Sequence, residues 1–324
     1  MVKKNFDYEQ KYQQLFDKVN ELRIITETTG YDLSEQLQLL EEKLETIRKE
    51  KYQNLKPWEK LLLVRCIERP TSMDYIKFIL DDYMELHGDR CFGDDPAIVG
   101  GIGEFEGQPV TFLGHQKGED TNDNIRHNFG MPNPEGYRKI QRLLLQAAKF
   151  KRPVLTFIDT PGAFPGIGAE ERGQAWAISE VLSTLSYIPV PIIAVVTGEG
   201  GSGGALALAV SDHLVMLSNA VFSVASPEAC ASILWKDVER ADEMAATLKI
   251  TAGQLLELGI IDEVVEEPAG GIQVDFEPTA QVLKDLISTR LKNLKSLEPS
   301  VLVQNRYNKL KGLTNKFPLT PISR

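Results

Sequence analysis

An α/β fold with a parallel sheet is what the sequence predicts. Short apolar runs at 154–159 and 192–197 have the length and composition of fully buried strands. Each ends in a glycine-rich turn, Asp159-Thr160-Pro161-Gly162-Ala163-Phe164-Pro165-Gly166 in one case and Gly198-Glu199-Gly200-Gly201-Ser202-Gly203-Gly204 in the other. Helical patterns fill the intervals, and strands alternating with helices at this spacing run parallel through right-handed crossovers.

In chain order, residues 8–55 are polar, nearly free of glycine and proline, and rich in Glu, Lys, Gln and Leu, which predicts helices. Phe16, Val19 and Leu22 mark one stripe, interrupted at Gly30. Leu33, Leu37, Leu40, Leu44 and Ile47 form a heptad-like seam, with Asp32 or Ser34 as its cap. The seam fits a hairpin folded on its own domain and equally a contact with another subunit. Pro57 and Pro70 bracket an apolar helix containing Trp58, Leu61, Leu62, Val64 and Ile67. Residues 98–104 and 109–116 read as a hairpin turned at Glu106-Gly107. Beyond it, helices are expected at 137–150, 170–186, 205–210, 227–235 and 252–258, and strands at 154–159, 192–197, 213–217, 221–224 and 260–265. Residues 276–311 are helical and charged, and the stretch through Pro318 and Pro321 reads as a loose tail.

The chain has 324 residues, 42% hydrophobic and 25% charged, and a formal net charge of -10. That is long enough for a sizeable core, and the charge argues against a nucleic acid as the main partner. Cys66, Cys91 and Cys230 form no CxxC pair and no ligand spacing with a histidine, so neither a zinc ribbon nor a disulfide framework is indicated. Met1-Val2-Lys3-Lys4-Asn5 opens no signal-like stretch, and no run approaches the roughly 18 apolar residues of a membrane span. The expectation is a protein that stays where it is made, the cytoplasm, or the plastid stroma for a plastid-encoded chain.

The second glycine turn lies between a strand and a helix, where glycines allow a ligand to approach the backbone and the first helical amides have no intrahelical partner. A nucleotide-phosphate loop requires Lys and Ser or Thr after the last glycine, but Ala205 and Leu206 follow Gly204. The GxGxxG match at Gly198, Gly200 and Gly203 lacks a clear acidic partner about twenty residues on. Gly200-Gly201-Ser202-Gly203-Gly204 also satisfies the GxSxG nucleophile elbow. The only histidine after Ser202 is His213, preceded by Asp212, and both are expected at the far end of the same short helix. His87, His115 and His127 leave an upstream base open, so Ser202 reads as a small packing residue or as a nucleophile. The reading that survives best is an oxyanion-stabilising turn with no side-chain nucleophile of its own.

Further motifs accompany the two turns: Glu85-Leu86-His87-Gly88-Asp89-Arg90, Gly114-His115-Gln116-Lys117-Gly118, Asn128-Phe129-Gly130-Met131-Pro132, and Pro134-Glu135-Gly136-Tyr137-Arg138-Lys139. Gly168-Ala169-Glu170-Glu171-Arg172-Gly173-Gln174, Ser226-Pro227-Glu228 and Ala231-Ser232-Ile233-Leu234-Trp235 complete the set. In this order, over roughly residues 5–300, they resemble the carboxyltransferase alpha-subunit family of multisubunit bacterial or plastid acetyl-CoA carboxylase. The resemblance implies a crotonase-like superhelix of ββα units with an N-terminal helical region. The implied layout is a helical hairpin at 1–55, the carboxyltransferase domain at 56–295 and a helical tail at 296–324.

The resemblance also implies carboxyl transfer from carboxybiotin, held on a biotin carboxyl carrier protein, to acetyl-CoA, giving malonyl-CoA for fatty-acid synthesis. It implies a zinc-bearing beta subunit in an α2β2 assembly, a biotin carboxylase elsewhere in the system, and no metal on this chain. Gly203 and Gly204, with Gly201 beside them, are expected to donate to the ureido oxygen of biotin. Gly162, Ala163, Phe164 and Gly166 are expected to form the facing wall, stiffened by Pro161 and Pro165. Arg126, Arg138 and Lys139 fit contacts with CoA phosphates or the carrier, or a solvated basic face. Phe129, Tyr137 and Phe164 fit the biotin channel or the core, and Glu170, Glu171 and Arg172 fit helix capping. Two other classes stay open: a stand-alone crotonase-type hydratase or isomerase, for which Glu199 is the one acid in the turn, and a noncatalytic scaffold.

Overall fold

The structure, a computed structural model, describes residues 17–24, 26 and 34–316. The expected positions Phe16, Gly30, Asp32 and Leu33, and the stretch through Pro318 and Pro321, lie outside the described residues. Two compact units are present. One comprises the described residues up to 55 together with 268–274, the other 56–267 together with 275–316.

In the first unit, residues 17–24 and α1 (Ser34–Gln53) are helical. Val19 and Leu44 are buried, Leu22, Leu37 and Leu40 are half-buried, and Leu39 is exposed, so the expected stripe and seam mark the inward faces. Arg23 joins Glu41 across 2.6 Å.

The second unit is built on one eight-stranded sheet. Its first elements are α2 (Pro57–Val64), α3 (Ser72–Ile79) and β1 (Asp82–Glu85). The hairpin β2 (Ile98–Phe105) and β3 (Gln108–His115) follows, turned at Glu106 and Gly107, both left-handed as a two-residue turn demands. Then come α4 (Thr121–Arg126), α5 (Pro134–Phe150), β4 (Val154–Thr160), α6 (Ile167–Glu171), α7 (Gln174–Tyr187), β5 (Ile192–Gly201) and α8 (Ser202–Ala209). The chain continues through β6 (His213–Leu217), β7 (Val221–Ser223), α9 (Pro227–Trp235), α10 (Ala241–Thr247), α11 (Ala252–Glu257), β8 (Glu263–Val265), α12 (Phe276–Lys295) and α13 (Pro299–Lys316).

The strands lie in the order β1-β2-β3-β4-β5-β6-β8, with β7 beside β5, and from β3 onward every strand pair is parallel, as the apolar runs predict. Every residue of β4 and β5 is buried, since helices cover both faces of the sheet centre. On α5, Tyr137, Ile140, Leu143, Leu144 and Ala147 line one face and are fully buried.

Four expectations need correction. The helix after Pro57 stops at Val64 with Arg65 as its C-cap, leaving Ile67 exposed outside it. The helix expected at 170–186 is two, because Gly173 takes a left-handed φ of 83° between them. The second glycine turn is no loop: β5 runs to Gly201, and α8 starts at Ser202 rather than at 205. Asp212 and His213 consequently lie beyond α8, where His213 opens β6 and contacts Glu263 at 3.0 Å.

α13 is held by Arg306, whose guanidinium is fully buried. It donates to the carbonyls of Leu185, Ile188 and Val190 and pairs with Asp212 at 2.8 Å. A buried cation needs this many acceptors to offset its desolvation.

Candidate active site

The C-terminal ends of β4 and β5 bring the two glycine-rich stretches into backbone contact. Pairing shifts between Ile158 and Thr160, setting Thr160 opposite Gly200. Asp159, at the shift, points its buried carboxylate back between the strands. Its Oδ1 accepts from Lys117 Nζ at 2.6 Å and from the Glu199 amide at 2.8 Å. A Cβ on Gly198 would lie 2.3 Å from that oxygen, so the clamp requires glycine there.

Two further glycines are fixed by the approach of the turns. A Cβ on Gly201 would sit 2.1 Å from the Pro161 carbonyl oxygen, and one on Gly204 2.6 Å from the Ala163 nitrogen. Gly203 differs: the nearest atom to its would-be Cβ, Ile178 Cγ2, is 3.9 Å away, and its φ is not left-handed. Nothing in the fold requires a glycine at 203.

Gly203 and Gly204 lie in the first turn of α8, whose amides have no intrahelical acceptor, and the N-cap residue, Gly201, has no side chain to offer one. Across from them, the Gly162 amide donates to Thr160 Oγ1 at 3.0 Å and the Thr160 hydroxyl donates to the Gly162 carbonyl at 2.8 Å, fixing the wall. Gly166 caps α6, and a Cβ on it would meet the half-buried Phe164 ring at 2.4 Å.

Ser202 is exposed, with a left-handed φ of 56°. No histidine bonds to it among the described residues. His87 contacts Asp94, His127 contacts the Asp123 carbonyl and His213 contacts Glu263. His115 is fully buried beneath the turn, and among the described residues neither ring nitrogen has a partner in good hydrogen-bond geometry, the Gly204 backbone being the polar group that acts on it. Burial, with the Lys117 charge nearby, pushes its pKa down to about 3 against the opposing pull of the Gly204 backbone, so the ring is neutral. The arrangement lacks a Ser–His couple and fits a small residue at a tight junction.

Beside Pro161 opens a cavity of about 360 Å³ lined by Arg65, Lys117, Phe129, Asp159 and Glu199. Glu199 is not a free acid. Arg65 grips it bidentately, Nε at 2.8 Å and Nη2 at 2.7 Å, and also reaches Glu228 at 2.5 Å. These partners outweigh the desolvation of the guanidinium and raise its pKa further.

The basic residues divide. Arg126, at the end of α4, is exposed. Lys139 has no exposed surface: its ammonium donates to Asp94 at 2.6 Å and to the Asp95 carbonyl at 2.9 Å. It therefore has no access to a CoA phosphate or a carrier, which corrects that expectation. Arg138 is bound to Asp89, Glu135 and the Arg172 carbonyl. Arg172 bonds Glu135 and lies over the Phe92 ring at 4.6 Å. Tyr137 belongs to the core, whereas Phe129 lines the cavity. Arg65, Lys117 and Asp159 are site-forming residues to which sequence reasoning gave no role. Lys117 and Asp159 nevertheless fall inside quoted motifs. Among the described residues no group of His, Cys, Asp and Glu is arranged to hold a metal ion.

A family model described as acetyl co-enzyme A carboxylase carboxyltransferase-like matches residues 5–314. The acetyl-coenzyme A carboxylase carboxyl transferase subunit alpha of Syntrophomonas wolfei is 60% identical over 313 residues, 97% of this chain and 98% of the relative. Among solved structures, a Pseudomonas malonate decarboxylase hetero-tetramer in complex with coenzyme A is similar in fold, with TM-score 0.57 and 17% identity over 69% of this chain and 90% of that one. Transcarboxylase 12S is similar at TM-score 0.54 and 20% identity, over 67% and 40%.

Parallel strands ending in two abutting glycine turns, together with this likeness, give the chain the fold of the crotonase-like carboxyltransferases. The chain belongs to the acetyl-CoA carboxylase carboxyltransferase family, with the alpha subunits as its relatives. The family supports the transferase expectation and not the hydratase alternative.

Proposed function

We propose that this chain is the alpha half of a carboxyltransferase that moves a carboxyl group from biotin on a carrier protein to acetyl-CoA, forming malonyl-CoA for fatty-acid synthesis. It works with a beta subunit in an α2β2 assembly and is supplied by a biotin carboxylase. The observation that carries this reading is the first turn of α8: amides without intrahelical acceptors, at a glycine, Gly203, that packing does not demand.

When bound, carboxybiotin supplies the carboxyl group, and its ring nitrogen accepts the proton lost by acetyl-CoA. What the chain itself contributes is fixed dipoles. The Gly203 and Gly204 amides donate to the ureido oxygen, where negative charge develops. Amides held by a helix and a buried strand need no reorganisation, and one such donor is worth about 3–4 kcal/mol of barrier. Gly201 lets the two turns touch, and Gly162, Ala163, Phe164 and Gly166 shape the opposite wall. Asp159 and Lys117 hold the strand ends in register. Arg126 is left for a phosphate or carrier contact. In this reading residues 56–295 carry the chemistry, flanked by 1–55 and 296–324.

A hydratase requires carboxylates free to exchange protons with substrate, and the Glu199 carboxylate is held by Arg65. The test is reconstitution. The purified chain, mixed with its beta subunit, is expected to carboxylate biocytin from malonyl-CoA, and either subunit alone is expected to be inactive. Hydration of an enoyl-CoA by the isolated chain, or no transfer by the pair, would contradict the proposal.

A further inference from the structure

The end of β5 carries an acid that the amide turn does not use. Glu199 is only 4% exposed and lies two residues before Gly201, the N-cap of α8. An unpaired carboxylate in a buried site is costly, and a second anion forming nearby feels its repulsion. Asp159, buried on the neighbouring strand, poses the same problem. Each has its own cation: Lys117 lies 2.6 Å from Asp159, and Arg65 grips Glu199 with Nε at 2.8 Å and Nη2 at 2.7 Å.

The strand does not need Arg65 to hold its course. β5 pairs with β4 at Thr160 and Gly200, and with β7 on the other side, where Glu199, Gly200 and Gly201 lie opposite Val221, Phe222 and Ser223. The Glu199 amide donates to Asp159 at 2.8 Å, and the Thr197 carbonyl accepts from the buried Arg69 at 2.9 and 2.6 Å. With the backbone fixed by these bonds, what is left for the Arg65 fork is the charge of the Glu199 carboxylate. Its third nitrogen reaches Glu228, 2.5 Å away in the first turn of α9. The Glu228 side chain is partly open to solvent, which screens its charge, whereas that of Glu199 is not.

We infer that Arg65 is a positioning residue for the transfer step: acting through Glu199, it cancels a buried negative charge, so that the Gly203 and Gly204 amides present a positive field to the oxygen on which charge develops. It rests on the carboxyltransferase reading above. Two residues of strand and two of helix separate Glu199 from Gly203, a distance on the order of 10 Å. At that separation one uncompensated charge in a protein interior changes a rate by roughly tenfold.

The experiment uses the assembled alpha–beta enzyme carrying Arg65→Met, Arg65→Lys, or Arg65→Met together with Glu199→Gln, assayed by carboxylation of biocytin from malonyl-CoA. Methionine keeps an unbranched apolar stem and loses the charge. Its kcat is expected to fall about tenfold with KM for biocytin and for malonyl-CoA unchanged, the mark of an interaction felt only in the transition state. Lysine, which keeps the charge but not the fork, is expected to stay within about threefold of the wild type. Adding Glu199→Gln to Arg65→Met removes the stranded carboxylate, and kcat is expected to return to within about threefold of the wild type. A mechanical strut predicts the reverse, because the double variant has lost both halves of the tie. The inference is overturned if Arg65→Met transfers at the wild-type rate, if either KM rises, or if the double variant stays as slow as Arg65→Met. Should Arg65→Met not assemble with the beta subunit, the double variant decides alone: transfer near the wild-type rate supports the inference, and loss of transfer overturns it. Failure of the underlying reading has a separate sign, namely absence of transfer in the wild-type pair.

Discussion

Replacing Gly204 with valine is expected to remove carboxyl transfer from the assembled enzyme, by a factor of about 10²–10³ or more, while the chain still folds. Even the first carbon of the new side chain would lie 2.6 Å from the Ala163 nitrogen and 2.7 Å from the Gly162 carbonyl carbon, both backbone atoms that cannot swing aside. The turns must separate. Overpacking of this kind costs about 1–3 kcal/mol of stability, and the strain falls at the strand ends rather than in the sheet. The amide that faces the ureido oxygen moves with the turn, and a preorganised donor displaced from its position loses most of its value. Gly203→Ala isolates the chemical contribution. The position is helical, and a methyl group has room on the protein side, so stability should hold or rise slightly. Transfer should nonetheless fall, because that methyl occupies the ligand's approach to the amide. Assay of both variants in complex with the beta subunit checks the pair, and normal transfer by both would refute the role of the turn.

A second large effect is expected from His115→Gln, read as the pH dependence of stability. The ring is buried, and desolvation outweighs the pull of the Gly204 backbone, so its pKa is pushed down to about 3 from an ordinary value near 6.5. Between those values the unfolded chain binds a proton that the folded chain refuses. His115 therefore costs stability as pH falls through this window, by up to about 1.4 kcal/mol per pH unit. Asp95 acts in the opposite sense. Burial raises its pKa to about 6 despite the Ala97 and Asn133 amides that donate to it, so between about 4 and 6 the folded chain binds the extra proton and gains stability as pH falls. The two largely cancel in the wild type. Asp95 and the other carboxylates are common to variant and wild type, so the comparison isolates the His115 contribution. The difference in unfolding free energy, variant over wild type, should thus grow by roughly 2–3 kcal/mol from pH 6.5 to 4.5. Urea titrations across that range measure it. A flat difference would mean that His115 titrates as an exposed histidine does.

The sheet was legible because its signals are local. Apolar runs without alternation mark β4 and β5, and Glu106-Gly107 marks the hairpin. β1 gave no such signal: it is a polar edge strand, largely exposed, recognisable only through its pairing with β2. α3 was missed although Thr71 and Asp74 form a capping pair, because the helix is short and follows a proline. The glycine stretches stand out in the sequence, but their backbone course does not. β5 runs to Gly201 and α8 starts at Ser202, and the glycine at 201 is set by the approach of Pro161 from the neighbouring strand end, which no local pattern records.

Charged partners were the least legible part. Arg65 finds Glu199 across 134 positions of sequence, and Lys139 finds Asp94 across 45. Spacing carries no trace of such pairs. Lys139, read as available to a phosphate, is spent inside the fold, and Lys117, given no role, holds the strand ends together.

The central claim is that prepositioned backbone amides, rather than a reactive side chain, face the charge that develops on biotin. A crystal structure of the alpha–beta complex with biocytin tests it most directly. The account predicts the ureido oxygen about 3 Å from the Gly203 or Gly204 nitrogen, with the Gly162 to Gly166 wall opposite. A well-occupied ring bound away from both glycine turns would contradict it.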